Sequence, residues 1–262
     1  MEFENLTYEV SDGVARITLA REKAANAINL ALAKELMHAA AQADEDPSVR
    51  AVLVGARGRM FCAGGDLGCF KDSGDQVPAL LKEITTHLHA ALSSFARMRA
   101  PVIGAVNGAA AGAGFSMVCA FDYVIASEAA KFTMAYTQVG LAPDGSSTYW
   151  LPRLIGNRRT VELMLTNRRL DAEEALDWGL VNRLVAPEQV EEEALAFAKK
   201  LATGPTEAYG LVKKLLLASA GNTLETQMEL ESRGIADASR TEDAKEGMAA
   251  FFEKRDPTYN GR

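Results

Sequence analysis

Short apolar runs alternate with longer amphipathic segments through the first half of the chain. The apolar runs predict strands, the first two of them paired in a hairpin: Tyr8–Val10, Val14–Leu19, Val49–Gly55, Val102–Val106 and Tyr123–Ala126. Two segments repeat apolar residues at helical spacing: Leu30–Asp44, which Asn29 can cap, and Val77–Met98. The polar stretch Asp72–Gln76 predicts a mobile loop before the second helix.

Beyond about Gly156 the pattern becomes mostly helical. Six segments predict helices: Arg158–Thr166, Ala172–Trp178, Pro187–Ala202, Pro205–Ala220, Thr223–Ser239 and Glu242–Lys254. A short extended piece, Leu180–Val185, lies among them. Strand, turn and helix units followed by helices indicate an α/β fold. A length of 262 residues suits one large domain or a core with an appended helical lobe.

Composition and charge narrow the range of partners. A net charge of −7 argues against nucleic acid or an anionic membrane as the main partner. The uncharged run Ala100–Phe121 is long enough to span a bilayer, but Pro101, Asn107 and several glycines favour a strand, a tight turn and a buried helix. Glu2 and Glu4, with no apolar core after them, argue against a secretory signal. We therefore expect a cytoplasmic protein.

The cysteines and histidines indicate no metal site. Three cysteines form an odd set without zinc-type spacing, which is typical of reduced thiols. Cys62 lies in a glycine-rich segment, but no histidine lies near it in sequence to activate it as a nucleophile. The three histidines fall in helix-like segments and are interpreted as structural or solvent-facing: His38, His87 and His89.

Two segments nearly free of bulky side chains each follow a predicted strand. The first contains Ala63-Gly64-Gly65, and the second runs from Asn107 to Gly114. Glycine and alanine let a ligand approach the backbone closely. Two such turns could aim two backbone N–H groups at one point, which would form an oxyanion hole. The alternative is a pair of tight strand-to-helix turns with no chemical role.

These segments resemble the two signatures of the crotonase superfamily, also called the enoyl-CoA hydratase/isomerase family. Phe61–Leu67 is similar to the first signature and Asn107–Met117 to the second. Further segments resemble other family landmarks, and the similarity runs from about Glu4 to the C-terminus: Arg21–Asn29, Leu151–Gly156 and Ala172–Val181. The resemblance implies a crotonase-like spiral of repeated ββα units over residues 1–200. It also implies a C-terminal helical region, 201–262, for trimerisation and active-site cover.

The resemblance also implies a substrate and its contacts. An acyl-CoA thioester would place its carbonyl oxygen on the N–H groups of Gly65 and Ala113, with coenzyme A as part of the substrate and no separate cofactor. Residues implied for the CoA surface are Lys23, Ala24, Ala25, Ala63, Asp66 and Leu67. Asp66 could instead cap the following turn. Phe251 and Lys254 could reach CoA, although an ordinary helix end is an equal interpretation.

The acid/base positions depart from the hydratase pattern. Hydratases of the family use two glutamates, and the matching positions carry Ser116 and Tyr136. Neither is a carboxylate base at neutral pH. A carboxylate follows in Pro143-Asp144-Gly145, a tripeptide that alone would indicate only a β-turn. The segment 135–144 resembles the 1,2-epoxyphenylacetyl-CoA isomerase branch, which implies that Asp144 moves protons and that Ser116, Tyr136 and Pro143 surround the substrate.

The sequence therefore predicts an enoyl-CoA or ring-epoxide acyl-CoA isomerase with Asp144 as its acid/base. Fatty acid metabolism and phenylacetate degradation are the pathways that fit. The alternatives are an enoyl-CoA hydratase, a non-catalytic acyl-CoA-binding relative, and another enolate chemistry such as thioester hydrolysis. The family resemblance implies a homotrimer or a hexamer.

Overall fold

Two β-sheets organise residues 3–262, which the structure, a computed structural model, describes. The strands are β1 (Leu6–Ser11), β2 (Val14–Leu19), β3 (Ala51–Ala56), β4 (Met60–Cys62), β5 (Val102–Val106), β6 (Ala109–Ala111), β7 (Tyr123–Ser127), β8 (Lys131–Thr133), β9 (Leu170–Asp171) and β10 (Arg183–Val185). The larger sheet has the order β1-β2-β3-β5-β7-β10, and the smaller has the order β4-β6-β8-β9. Only the pairs β1/β2 and β8/β9 are antiparallel.

The helices complete a spiral. They are α1 (Leu30–Glu45), α2 (Leu67–Asp72), α3 (Val77–Arg97), α4 (Ala113–Cys119), α5 (Ser147–Ile155), α6 (Asn157–Thr166), α7 (Ala172–Asp177), α8 (Val190–Ala202), α9 (Thr206–Ser219), α10 (Leu224–Ala238) and α11 (Glu242–Glu253). The chain passes from β3 to β4 to α2 and α3, and then from β5 to β6 to α4. Each turn thus adds one strand to each sheet before a helix. This confirms the α/β spiral of ββα units.

Several local predictions are confirmed. The β1–β2 hairpin turns at Asp12-Gly13, where both residues have positive φ. The Asn29 side chain caps α1 by accepting a hydrogen bond from the Leu32 N–H at 2.9 Å. The uncharged run 100–121 divides among β5, β6 and α4, and every residue of α4 is buried. Within residues 3–262, none of the helices has the length and apolarity needed to cross a bilayer.

Other local predictions were wrong or incomplete. Asp72–Gln76 is not a loop, because α2 ends at Asp72 and a 3₁₀ turn, Gly74–Gln76, leads directly into α3. Only Arg183–Val185 of the predicted extended piece is a strand. The small sheet was missed because strands of two or three residues are too short to show alternation. Helix α5 was missed because Pro152 lies inside it. Glu2, used in the argument about a signal, lies outside the described residues.

Packing differs between the two ends of the molecule. Helix α8 covers one face of the larger sheet, where Ala194 and Ala198 pack over Leu53 and Ile103. Helices α9 to α11 instead leave large apolar side chains exposed. Lys213 joins α9 to the core, because its Nζ lies 2.6 Å from Asp122 Oδ2 and donates to two backbone carbonyls at the end of α3 and just before β5.

Candidate active site

An apolar pocket of about 460 Å³ opens between the two glycine-rich turns. Its other walls are Leu81, Ile84 and Leu88 of α3 and the segment 135–144. Among its described lining residues, Asp144 is the only carboxylate, and no lysine, arginine or histidine accompanies it. A slightly larger cavity of about 510 Å³ lies beside β1 and β2, but it holds neither predicted N–H donor nor Asp144. The apolar pocket is therefore the candidate active site.

The first predicted donor, Gly65, is held beside this pocket by its neighbours. The Ile28 N–H donates to the Gly64 carbonyl at 2.7 Å, and the Asp66 N–H donates to the Ile28 carbonyl at 3.0 Å. In such a parallel bridge the residue between the bonded pair turns its own N–H away. Among residues 3–262 the Gly65 N–H makes no hydrogen bond, so it is free for a ligand.

The second predicted donor, Ala113, is the first residue of α4, as the sequence indicated. Its N–H has no partner in the described chain, and it belongs to the first turn of a helix, where such groups lack intrahelical acceptors. The two turns touch. A Cβ added at Gly64 would lie 2.9 Å from the Ala111 carbonyl oxygen and 3.3 Å from the Gly112 Cα. Only glycine at position 64, where φ is +96°, allows this approach.

A chain of hydrogen bonds reaches Asp144. The Tyr136 hydroxyl donates to Asp144 Oδ1 at 2.5 Å, and Ser116 Oγ lies 2.8 Å from the same hydroxyl. Burial, and then the charge of Asp144, raise the pKa of Tyr136 well above its ordinary value, so this phenol stays protonated and donates. Ser116 itself lies fully buried behind Tyr136 and does not line the pocket.

His89 is a neighbour of Asp144 that the sequence interpretation missed. Its Nε2 accepts a hydrogen bond from the Gly145 N–H at 3.1 Å, which fixes the residue after the carboxylate. His89 and Pro143 line a second cavity, of about 470 Å³, on the other side of Asp144. Helical spacing was the available signal, because His89 follows the pocket-lining Thr85 by four positions on α3.

The predicted CoA-surface residues gather at one rim. Ala63 and Leu67 line the pocket, and the Ala63 N–H donates to the Ala25 carbonyl at 3.0 Å. Lys23 and Ala24 lie in the 3₁₀ turn just before Ala25, which has a left-handed φ of +51°. Strained non-glycine residues of this kind concentrate at functional sites.

Asp66, by contrast, turns its side chain into the protein. It caps α2 by accepting from the Cys69 N–H at 3.2 Å and pairs with Arg21 at 3.1 Å. Burial opposes ionisation, but these hydrogen bonds outweigh it and lower the pKa of Asp66. The Asp66 side chain therefore acts as the N-cap of α2, as the alternative interpretation of the sequence suggested. Its predicted role toward substrate remains a prediction.

Cys62 is a thiol and not a prepared nucleophile. It is fully buried, and burial raises its pKa to about 12. Its Sγ donates to the Asn26 carbonyl at 3.1 Å. Phe251 lies in the last turn of α11 and Lys254 directly follows that helix. Among the described residues, neither one lines the pocket.

A spiral of two sheets, with two free backbone donors over an apolar pocket, defines a crotonase-fold enzyme. The chain belongs to the enoyl-CoA hydratase/isomerase family, which it matches over residues 9–262.

Some similar proteins in this family are named as hydratases and others as isomerases. A probable enoyl-CoA hydratase of Rhodobacter capsulatus is 39% identical over 262 residues, with 100% of both chains covered. The 1,2-epoxyphenylacetyl-CoA isomerase of Escherichia coli is 37% identical, again over 100% of both chains. A crystal structure of an enoyl-CoA hydratase from Polaromonas has a TM-score of 0.93 at 32% identity and covers 97% of this chain and 99% of that one.

Proposed function

We propose that this enzyme is an acyl-CoA isomerase that shifts a double bond, with Asp144 as its single acid/base. The pocket lining supports this proposal, because Asp144 is the only carboxylate among the described residues that line the pocket. Moving one proton between two carbons requires one base. Adding water requires a group that activates the water and another that orients it.

The proposed reaction uses the two turns and the carboxylate together. The thioester carbonyl oxygen accepts hydrogen bonds from the Gly65 and Ala113 N–H groups, which stabilise negative charge on that oxygen. Asp144 removes a proton from one carbon of the enoyl chain, and the C–H electron pair moves into a dienolate. The resulting carboxylic acid returns the proton two carbons away, so the double bond moves and no atom is gained or lost.

The substrate is an unsaturated or ring-epoxide acyl-CoA. The epoxide version is supported by the 37% identity to the 1,2-epoxyphenylacetyl-CoA isomerase. The leucine and isoleucine side chains of α3 give the pocket an apolar wall suited to a hydrocarbon acyl group. Coenzyme A enters as part of the substrate, and we propose no separate cofactor or metal.

Hydration is the second candidate, because a relative at 39% identity is named as a probable hydratase. Against it stand the residues at the two hydratase positions. Ser116 and Tyr136 are hydrogen-bonded to each other at 2.8 Å, and neither supplies a carboxylate. A non-catalytic acyl-CoA-binding role is opposed by the presence of a carboxylate in a mostly apolar pocket.

We further propose that the chain assembles as a homotrimer or hexamer through its C-terminal helices. Large apolar side chains are exposed there, including Ile235 at 73%, Phe251 at 79% and Phe252 at 82%. Side chains of this kind are expected to be covered by a partner. Sedimentation of a monomer at micromolar concentration would contradict this assembly.

The free thiols Cys62, Cys69 and Cys119 support a reducing, cytoplasmic location.

A panel of CoA thioesters tests the proposed reaction. The purified enzyme is incubated with 2-enoyl, 3-enoyl and ring-epoxide acyl-CoA substrates, and products are separated and weighed by mass spectrometry. Isomerisation gives a new retention time at unchanged mass. A product heavier by one water, formed rapidly from crotonyl-CoA, would show that the enzyme is a hydratase. Tight binding without turnover of any thioester would show a non-catalytic role.

A further inference from the structure

Tyr136 holds only one oxygen of the Asp144 carboxylate. Its hydroxyl donates to Oδ1 at 2.5 Å, whereas Oδ2 accepts no hydrogen bond from the described chain. Asp144 lines the apolar pocket, so Oδ2 is the oxygen left for a substrate proton. The phenol has a single O–H hydrogen, which is hydrogen-bonded to Asp144 Oδ1 and is therefore not directed at a substrate.

The backbone before Tyr136 fixes where this hydroxyl lies. Ala135 has a left-handed φ of +54°, a conformation that is unfavourable for a residue other than glycine. The Tyr136 N–H closes a tight turn by donating to the Met134 carbonyl at 2.7 Å. The strained turn directs the Tyr136 hydroxyl toward the Asp144 carboxylate, which indicates that the location of this hydroxyl matters to the site.

Ser116 connects this contact to the oxyanion turn. Its Oγ lies 2.8 Å from the Tyr136 hydroxyl and 3.2 Å from the Gly112 carbonyl, which directly precedes the donor Ala113. The turn after Asp144 also packs on Ser116, since a Cβ added at Gly145 would lie 2.8 Å from the Ser116 Cβ. One buried serine therefore touches both halves of the site.

We propose that Tyr136 is the positioning residue of this enzyme, fixing the Asp144 carboxylate so that Oδ2 faces the reacting carbons, and that Ser116 sets Tyr136 relative to the oxyanion hole. This inference rests on the proposed function of Asp144 as acid/base. A carboxylate held at one oxygen loses its rotation about the side-chain bond, and correct orientation accounts for much of catalysis. The donated bond also stabilises the ionised carboxylate. The other titratable group beside this turn is His89 of α3, whose Nε2 bonds to the Gly145 N–H.

Replacing Tyr136 by phenylalanine removes the donor and keeps the ring. With the full-length enzyme and a substrate that it isomerises, Tyr136→Phe should lower kcat about 10- to 100-fold with KM nearly unchanged. The matched control is Tyr123→Phe, because Tyr123 lies on β7, packs against Phe197 of α8 and does not line the pocket. Wild-type kcat in Tyr136→Phe would overturn the proposal.

A measurement without substrate separates this inference from the proposed function. In protein labelled with ¹³C at aspartate carboxyls, the Asp144 signal is the one missing from Asp144→Asn. At one fixed pH its carboxyl chemical shift should differ between Tyr136→Phe and the unmodified protein, because the hydrogen bond to Oδ1 is gone. An unchanged chemical shift would show that the hydroxyl does not hold the carboxylate, whatever reaction the enzyme catalyses. Failure of isomerisation together with a changed chemical shift would instead reject the reaction and keep the contact.

Ser116→Ala provides a second variant that preserves the Tyr136–Asp144 bond. It removes only the oxygen 2.8 Å behind the phenol, so kcat should fall less than in Tyr136→Phe, by about threefold to tenfold. If Ser116→Ala lowered kcat more than Tyr136→Phe while circular dichroism showed both variants folded, the proposal that Ser116 acts through Tyr136 would be contradicted.

Discussion

Ile28 bonds to both neighbours of Gly65 and leaves Gly65 itself free. Its N–H donates to Gly64 and its carbonyl accepts from Asp66, at 2.7 and 3.0 Å. The segment that precedes α1 thereby orients a backbone donor in a turn more than thirty residues further along the chain. The site is thus built first from backbone contacts, and the side chains act within that frame.

The free Gly65 N–H can be removed by proline. Gly65→Pro should lower turnover by about 10²–10³-fold, because one of two donors to the thioester oxygen is lost. Steady-state kinetics on an isomerised thioester measures the loss. A Cβ added at Gly65 would lie only 2.8 Å from the Phe70 ring. The control is therefore Gly65→Ala combined with Phe70→Leu, which keeps the N–H and relieves this contact. A folded Gly65→Pro enzyme with full turnover would refute the oxyanion hole.

The Asp144 carboxylate can be neutralised with almost no change in shape. Asp144→Asn should lose isomerisation by about 10²–10⁴-fold, because an amide cannot accept the substrate proton. It should also stop exchange of substrate protons with deuterium oxide, as followed by NMR, while CoA-ligand binding persists. Asp177→Asn is the matched control, since Asp177 is exposed at the end of α7. Normal isomerisation by Asp144→Asn would remove this residue from the mechanism.

His89 supports the turn that carries Asp144. Substituting alanine removes the acceptor for the Gly145 N–H, so the carboxylate should lose its fixed position and kcat should fall about tenfold. His38→Ala is the matched control, because His38 is exposed on α1. Equal kcat values for the two variants would return His89 to the structural role that its sequence context suggested.

The pair Lys213–Asp122 anchors the C-terminal helices. Burial raises the pKa of Asp122 and lowers that of Lys213, so desolvation outweighs their mutual attraction. Lys213→Met should destabilise the protein by about 1–3 kcal/mol, because it leaves the Asp122 carboxylate, whose side chain is 30% exposed, without its cation. Thermal or urea unfolding measures the change. Lys214→Met, at an exposed neighbour, is the control.

A double variant distinguishes this mechanism from lost packing. In the unmodified protein the Val102 N–H donates to Asp122 Oδ2 at 2.8 Å. The double variant Lys213→Met with Asp122→Asn keeps an amide oxygen that can accept this hydrogen bond. Part of the lost stability should return, since no unpaired charge remains. No recovery in the double variant would mean that the lysine acts through its bonds to the backbone carbonyls.

The sequence predicted those parts of the site that depend on local backbone requirements. Glycine-rich turns after apolar strands need small residues at fixed positions, so Gly65 and the start of α4 at Ala113 could be found without a structure. The contact between Tyr136 and Asp144 could not, because it depends on a left-handed Ala135 that no propensity favours. The Ile28 bridge was equally hidden, since it joins segments distant in sequence.

A single carboxylate among the described residues that line the pocket also limits the stereochemistry of the proposed reaction. In the proposed isomerisation, one oxygen of Asp144 is bonded to Tyr136 and the proton leaves and returns through the other oxygen. Both transfers would then take place on one face of the planar dienolate, so we expect a suprafacial shift. The chirality of a deuterium label in the product would record on which side of the acyl chain Asp144 lies.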